Sequence, residues 1–439
     1  MIKLTHKKVL FAAILSIVFS KQSLHSWAVG VSAEWDKPEV ILMHTPGQEV
    51  FYGLLHANAA LFEDSFDTCA AQKEHLNYMA TLRENNIIVI ELTDALLKGT
   101  LNEDGSKKEG PELDQLIEFA SQSLVYDMPQ NWSQETKEEQ LKYKKNILSK
   151  VHPKDLVRII LEHPTIHLRN STEKNTKFVA EPYQSYPLMN MHFLRDQQIT
   201  TDKGVVLGKM NSVQRAHEVD VTEFAFNKLG IKPIYRVTGE GRLEGGDFIP
   251  VGDFALIGQG LRTNAEGVKQ LFENDVFGYA EVAVVKDPFK HQDQMHLDTY
   301  FNILGPKKGL VDKIRREKGL ITRDDITRPI RPTVDVYKKN NLGKYECVQK
   351  DKDFFEYIEI EKGFNLIDIA DSEQLNYGCN FLCIGNNKIV GVKGVSETYP
   401  ERIKNSNVDA TWLDFKNVTK SYGGPHCTTQ VLHRIPLNK

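Results

Sequence analysis

The chain has 439 residues, 41% hydrophobic and 26% charged, with a formal net charge of −4. That is enough apolar material for a large core, in two or three domains or in one closed α/β unit. The charge balance excludes the basic footprint of a nucleic-acid-binding protein, since the one basic cluster, Lys142-Tyr143-Lys144-Lys145, lies in a Glu/Lys-rich stretch that reads as a solvated helix.

Lys3, Lys7 and Lys8 precede the apolar run from Val9 to Phe19, which turns polar at Ser20-Lys21. A basic start and an apolar segment too short to span a bilayer predict a signal peptide over 1–30 and export, with a cytoplasmic location as the alternative. No later run is apolar for long enough to cross a membrane, so no stable span is expected after signal removal.

The expected catalytic domain, 34–439, opens on a strand at 39–44, ended by the turn Thr45-Pro46-Gly47-Gln48-Glu49. A helix is predicted over 70–84 and a buried strand over 87–92. From about 93 to 182 the chain is rich in Glu, Lys, Gln and Leu. Leu113, Leu116, Ile117 and Ala120 share one helical face, and Leu156, Val157, Ile159, Ile160 and Leu161 form a second apolar cluster. This region reads as a helical insertion, with 164–185 as its exit loop. Short β runs follow at 204–208, 232–237, 254–258 and 281–285, with helices near 213–229 and 264–272. Runs at 363–370, 379–384 and 388–392 extend the alternation, which indicates an α/β sheet system. Cys379 and Cys383 lie in a strand-like run with no second Cys/His pair at ligand spacing, so buried thiols and no metal are expected. The phosphate-binding glycine loops are missing from the sequence, and no cofactor is expected.

Four segments place an acid, a base or a thiol beside turn-forming residues. They are Asn190-Met191-His192-Phe193-Leu194-Arg195-Asp196, Glu244-Gly245-Gly246-Asp247, Met295-His296-Leu297-Asp298-Thr299 and Gly423-Gly424-Pro425-His426-Cys427. Paired glycines allow positive φ and close backbone approach, which would turn Cys427 into a cleft. A thiol, an imidazole and several carboxylates suit attack on a cationic carbon. A guanidinium is planar and permanently charged, and carboxylates bind it bidentately. A thiolate is populated at neutral pH only if its pKa is depressed or a positive substrate lies beside it.

In this order the segments resemble the guanidino-group-modifying superfamily, and within it the arginine deiminase family. Met43-His44-Thr45-Pro46-Gly47-Gln48-Glu49, Leu61-Phe62-Glu63-Asp64, Arg215-Ala216-His217-Glu218, Gly258-Gln259-Gly260-Leu261-Arg262-Thr263 and Asn376-Tyr377-Gly378-Cys379-Asn380 add to the likeness, which runs from about residue 38 onward. The resemblance implies a five-bladed, pseudo-symmetric α/β propeller with a helical insertion and the site in its central channel. It implies hydrolysis of L-arginine to citrulline and ammonia through a covalent cysteine intermediate. An amidinotransferase or an arginine dihydrolase using the same cysteine chemistry is the alternative. Cys427 would be the nucleophile and His296 the general acid/base. Asp196 and Asp298 would grip the guanidinium, and Glu244 would hold it and assist proton transfer. Arg215 and Arg262 would bind the α-carboxylate, with Asn190 and Phe193 lining the amino-acid end. The implied partner is a small guanidino substrate; self-association into a homo-oligomer is left open. The sequence departs from the family at Tyr422, where arginine deiminases commonly carry an arginine five residues before the nucleophile.

Overall fold

A computed structural model describes residues 29–385 and 387–437. Residues 1–28 of the expected signal peptide lie outside them. Among the described residues no helix is long and apolar enough to cross a membrane.

The architecture is α/β. Five sheets share a three-stranded unit centred on Lys37–Met43, Gly204–Leu207, Phe254–Gln259, Lys308–Asp312 and Lys388–Val392, and the third is extended to five strands by Thr333–Lys339 and Tyr345–Asp353. Each central strand has one antiparallel and one parallel neighbour. In four sheets the antiparallel partner comes just earlier in the chain. In the first it is Gln430–Ile435, so the two ends of the chain are tied in one sheet. None of the sheets closes on itself. Parallel pairing needs a crossover, and helices supply it. Thr68–Glu84, Glu218–Leu229, Ala265–Glu273 and Tyr399–Asn405 each connect a central strand to its parallel neighbour. Their ends are specified locally: Asp67 accepts from Ala70 N at 3.0 Å, Asn264 accepts from Gly267 N at 2.8 Å, and Gly230 ends its helix at φ 79°. Phe254–Gln259 is an almost unbroken apolar run because both of its faces are covered.

The segment from 92 to 185 carries the helices Leu92–Leu97, Pro111–Ser123, Gln134–Leu148 and Pro153–Glu162. Leu113, Leu116, Leu156 and Ile160 are fully buried and join one core with Leu188, Met191 and Leu194. At about 1.5–3 kcal/mol per buried side chain, this packing anchors the stretch that leads to Asp196. The expected exit loop is instead the hairpin Pro164–Asn170 and Phe178–Ser185, completed by Val125–Asp127 into a three-stranded sheet. Its strands are only partly buried, so no apolar alternation announces them. The run expected over 232–237 contracts to Tyr235–Arg236. Strands at Gln198–Thr201 and Asp409–Leu413 escape a sequence reading for a related reason: one is buried yet half polar, the other half exposed.

His44 anchors the amino-terminal turn. Its ring lies 3.0 Å from Glu49 Oε1 and 3.3 Å from Glu91 Oε1, and Glu91 also accepts from Thr45 N at 2.9 Å. Burial alone would depress this imidazole. The two carboxylates outweigh it and raise the pKa to about 10. A folded-state pKa above the unfolded value of about 6.5 stabilises the fold fully below pH 6.5, and that stabilisation is lost as pH rises through 10. His44→Leu leaves two carboxylates unpaired and should lower the unfolding free energy by about 3 kcal/mol at pH 6, read by urea denaturation. A loss below about 1 kcal/mol would show that water reaches these carboxylates.

Candidate active site

Asp196, Glu244, Asp298, Asn380 and Cys427 each stand two to four residues before the antiparallel strand of a different sheet, the strands beginning at Gln198, Phe248, Phe301, Leu382 and Gln430. One repeated position in five sheets thus brings together residues far apart in the chain. All five side chains are buried.

Cys427 Sγ accepts from Asn380 Nδ2 at 3.0 Å and lies 3.8 Å from Asp298 Oδ2. Burial pushes the thiol well above its ordinary pKa, and the charges of Asp298 and Asp196 push the same way; the Asn380 hydrogen bond opposes them. With these neighbours the sulfur is held as a thiol at neutral pH. His426 Nδ1 donates to Asp298 Oδ2 at 2.6 Å, and its Nε2 lies 3.4 Å from Glu34 Oε1. Glu34 is bound in turn by Arg434.

His296 Nε2 lies 2.9 Å from Glu244 Oε2, and its Nδ1 is 3.8 Å from Asp196 Oδ1. Burial works against the charged imidazole, but Asp196, the Glu244 hydrogen bond and Asp247 raise its pKa to about 9. Glu244 is held down at about 2 against its own burial, by His296 first and then by Arg262 and Arg215. His296 is thus an imidazolium at neutral pH. Asp196, Glu244 and His296 lie close together, and an imidazolium between two carboxylates suits the trio to proton transfer. Asp247 Oδ1 accepts from Leu297 N at 3.0 Å and pins the loop bearing His296. Burial raises the Asp247 pKa to about 6.

Both carboxylates beside the thiol are half occupied. Asp196 Oδ2 accepts from Arg215 Nη1 at 2.8 Å and Asp298 Oδ2 accepts from His426, while the Oδ1 atom of each is buried without a hydrogen-bond partner. Arg262 donates through Nη2 to Gln292 Oε1 at 2.8 Å, and its buried Nε has no partner. Asn190 and Phe193 line the same small cavity as Cys427, His296 and Arg262.

Two of the expected site residues also have partners within the protein. Arg215 was expected beside Arg262 at a substrate carboxylate. Its guanidinium binds Glu218 at 2.8 Å through Nη2 and at 3.1 and 3.0 Å through Nε, besides Asp196 and the Asn190 carbonyl. Two buried acids hold that charge, and Arg215 lines the same cavity as Arg262. Glu244, expected to hold the guanidinium and assist proton transfer, has one hydrogen bond on each oxygen, Oε2 with His296 and Oε1 from Asn211 N at 2.9 Å.

The paired glycines serve close approach rather than positive φ; neither Gly423 nor Gly424 has it. A Cβ on Gly423 would lie 2.2 Å from the Phe193 ring, and one on Gly424 would lie 2.9 Å from the Asn380 carbonyl. In the second motif a Cβ on Gly246 would lie 2.7 Å from His296 Nδ1. Sequence reasoning gave no role to Asn380, Glu218 or Gln292. The one available signal for Asn380 was its place at the end of the Asn376–Asn380 segment.

The family model for arginine deiminase matches residues 58–434. This chain belongs to the arginine deiminase family. It is 26% identical to the arginine deiminase of Halobacterium salinarum, an alignment covering 94% of this chain and 98% of that protein. Identity to the arginine deiminase of Limosilactobacillus reuteri is also 26%, over 94% of this chain and 99% of the relative. Among solved structures, the N-terminal domain of ArgZ, a cyanobacterial arginine dihydrolase, superposes with a TM-score of 0.50 at 13% identity, covering 90% of this chain and 98% of that one. That likeness concerns the fold alone.

Where arginine deiminases commonly carry an arginine, Tyr422 lines the cavity. It takes the left-handed conformation, φ 69° and ψ 41°, as does Leu61 on the same wall at φ 64°. Bulky side chains rarely adopt it, and such strain persists where the surroundings impose it. A larger cavity of about 710 Å³ lies elsewhere, between His44–Glu49 and the helix Pro153–Glu162. Cys427 does not line it, and its His44 and Arg158 side chains are already paired with carboxylates.

Proposed function

We propose that this chain hydrolyses L-arginine to citrulline and ammonia through Cys427. The observation that carries the reading is the pair of buried carboxylates beside the thiol, each with one oxygen hydrogen-bonded and the other, Asp196 Oδ1 and Asp298 Oδ1, without a hydrogen-bond partner among the described residues. A guanidinium offers several N–H groups in one plane, satisfies both oxygens and brings its carbon to the sulfur. Arg262 Nε supplies a donor for the α-carboxylate, and Arg215 holds Asp196 in place. Family membership over nearly the whole chain supports arginine as the substrate.

Substrate charge completes the nucleophile. A cation placed beside Asp196 and Asp298 offsets the field that keeps the thiol protonated, so the thiol releases its proton to solvent and the thiolate forms when arginine is bound. Sulfur attacks the guanidinium carbon and the C=N electrons move onto nitrogen. The His296 imidazolium gives its proton to an amino nitrogen, the C–N bond breaks and ammonia leaves an amidino-thioether. Water then yields a proton to the neutral imidazole and adds to the same carbon. Collapse of that adduct expels the Cys427 sulfur, which takes up the hydroxyl proton as the thiol, and releases citrulline.

Asp196→Ala and Asp298→Ala should each lower kcat by about 10²-fold, as for loss of a preorganised electrostatic group. A change within about tenfold in steady-state rates would assign both residues to structure. The reading as a whole is tested by incubating the purified chain with arginine and identifying products by mass. Equal citrulline and ammonia are expected; ornithine would indicate a dihydrolase, and a transferred amidino group an amidinotransferase.

The finer architecture belongs to the same reading. Five sheets sharing one strand order, with five polar side chains at one repeated position, support a pseudo-fivefold propeller with the chemistry at its centre. The basic and apolar leader supports export.

A further inference from the structure

We infer that Asn380 is a catalytic residue that aims the Cys427 sulfur and stabilises its thiolate. Its amide is used at both ends. Oδ1 accepts from Gly424 N at 2.9 Å and from Cys427 N at 3.2 Å. Nδ2 donates to Cys427 Sγ at 3.0 Å and to the Asp298 carbonyl at 3.4 Å. These partners fix the orientation of the amide, because two backbone N–H groups can be accepted only by its oxygen. One side chain therefore sets the turn that carries the nucleophile and presents a donor to the nucleophile itself.

The surroundings show why such a donor is needed. Asp298 Oδ2, 3.8 Å from Sγ, and Asp196 both disfavour a thiolate. Neither His296 nor Arg215 hydrogen-bonds the sulfur; their contacts are with Glu244, Asp196, Glu218 and the Asn190 carbonyl. The Asn380 amide is the side-chain donor that the described residues aim at Sγ, acting beside a backbone hydrogen bond from Gly424. Its position also belongs to the pattern that delivers Asp196, Glu244, Asp298 and Cys427, just before the antiparallel strand of a sheet. Four sheets thus contribute a group already assigned to the chemistry, and Asn380 is the contribution of the fifth.

The test is the pH dependence of Cys427 alkylation by iodoacetamide, read peptide by peptide in the mass spectrometer. Cys69 and Cys347 are exposed and serve as internal references. Asn380→Asp keeps the acceptor for both backbone N–H groups and loses the donor to sulfur. Asn380→Ala removes both without adding charge. A hydrogen bond to a charged group corresponds to about one to two pH units. The Cys427 midpoint should therefore move up by about that much in both variants, further in Asn380→Asp, with Cys69 and Cys347 unchanged. In turnover, kcat should fall while KM for arginine stays within about threefold, since the contact is to the nucleophile rather than to substrate. An unshifted Cys427 midpoint in either folded variant overturns the assignment. Failure of both variants to fold, judged by thermal melting, would assign Asn380 to the scaffold and overturn it as well. The inference rests on Cys427 being the nucleophile, but alkylation needs no arginine turnover. A wild-type chain inactive toward arginine would sink the functional reading and leave this test intact.

Discussion

Cys427→Ala is expected to lower citrulline formation by about 10⁵-fold or more while arginine still binds within about threefold of wild type. The size follows from chemistry. Water lacks the sulfur's nucleophilicity, and without a covalent intermediate the carboxylates orient a substrate that nothing attacks. Binding survives because Asp196, Asp298 and Arg262 reach their positions independently of the thiol: Asp196 is held by Arg215, Asp298 by His426 and Arg262 by Gln292. Rapid quench of wild type with arginine, followed by mass analysis of the Cys427 peptide, should show an added amidino group that the variant lacks. Turnover by Cys427→Ala within about tenfold of wild type would remove the cysteine from the mechanism.

His296→Ala is expected to lower kcat by about 10³-fold, within the range for a positioned acid/base. The imidazole serves twice, first as acid toward ammonia and then as base toward water. In the free protein His296 should titrate at about 9 by NMR, because Asp196 and Glu244 stabilise the imidazolium against burial. Ammonia release in a single turnover needs that proton, so it should decline as pH rises past the value at which bound-state His296 loses it. Glu244→Gln removes a charge 2.9 Å from Nε2, and both the NMR titration and the decline should move to lower pH, by about one unit. An unmoved titration in Glu244→Gln would mean that Asp196 and Asp247 sustain the imidazolium without Glu244.

Much of the site could be read from local sequence because short-range constraints mark it. Cys427 follows two glycines that the packing of Phe193 and Asn380 makes necessary, and Gly246 is required by the His296 ring. Such contacts tolerate no Cβ, so they leave a trace in the residue types themselves. The helices at Thr68–Glu84 and Ala265–Glu273 could be read too, from their apolar spacing. The hairpin at Pro164–Asn170 and Phe178–Ser185 could not, since its strands are stabilised by pairing rather than by an apolar face. Nor could the partners of Arg215. A sequence states that an arginine is present, whereas burial decides whether it meets a ligand or the protein's own acids, and here Asp196 and Glu218 take it.

By itself, then, the sequence determined the α/β class, the family, the thiol and the carboxylates that suit a guanidinium, because these depend on residue type and on order along the chain. Only the tertiary structure decided that Asn380 reaches the sulfur, that Arg215 faces Asp196, and that Glu244 belongs to His296. Those pairings join residues 47, 19 and 52 positions apart. Their physical cause is the repeated strand order of five sheets, which carries side chains from five distant segments into one buried place.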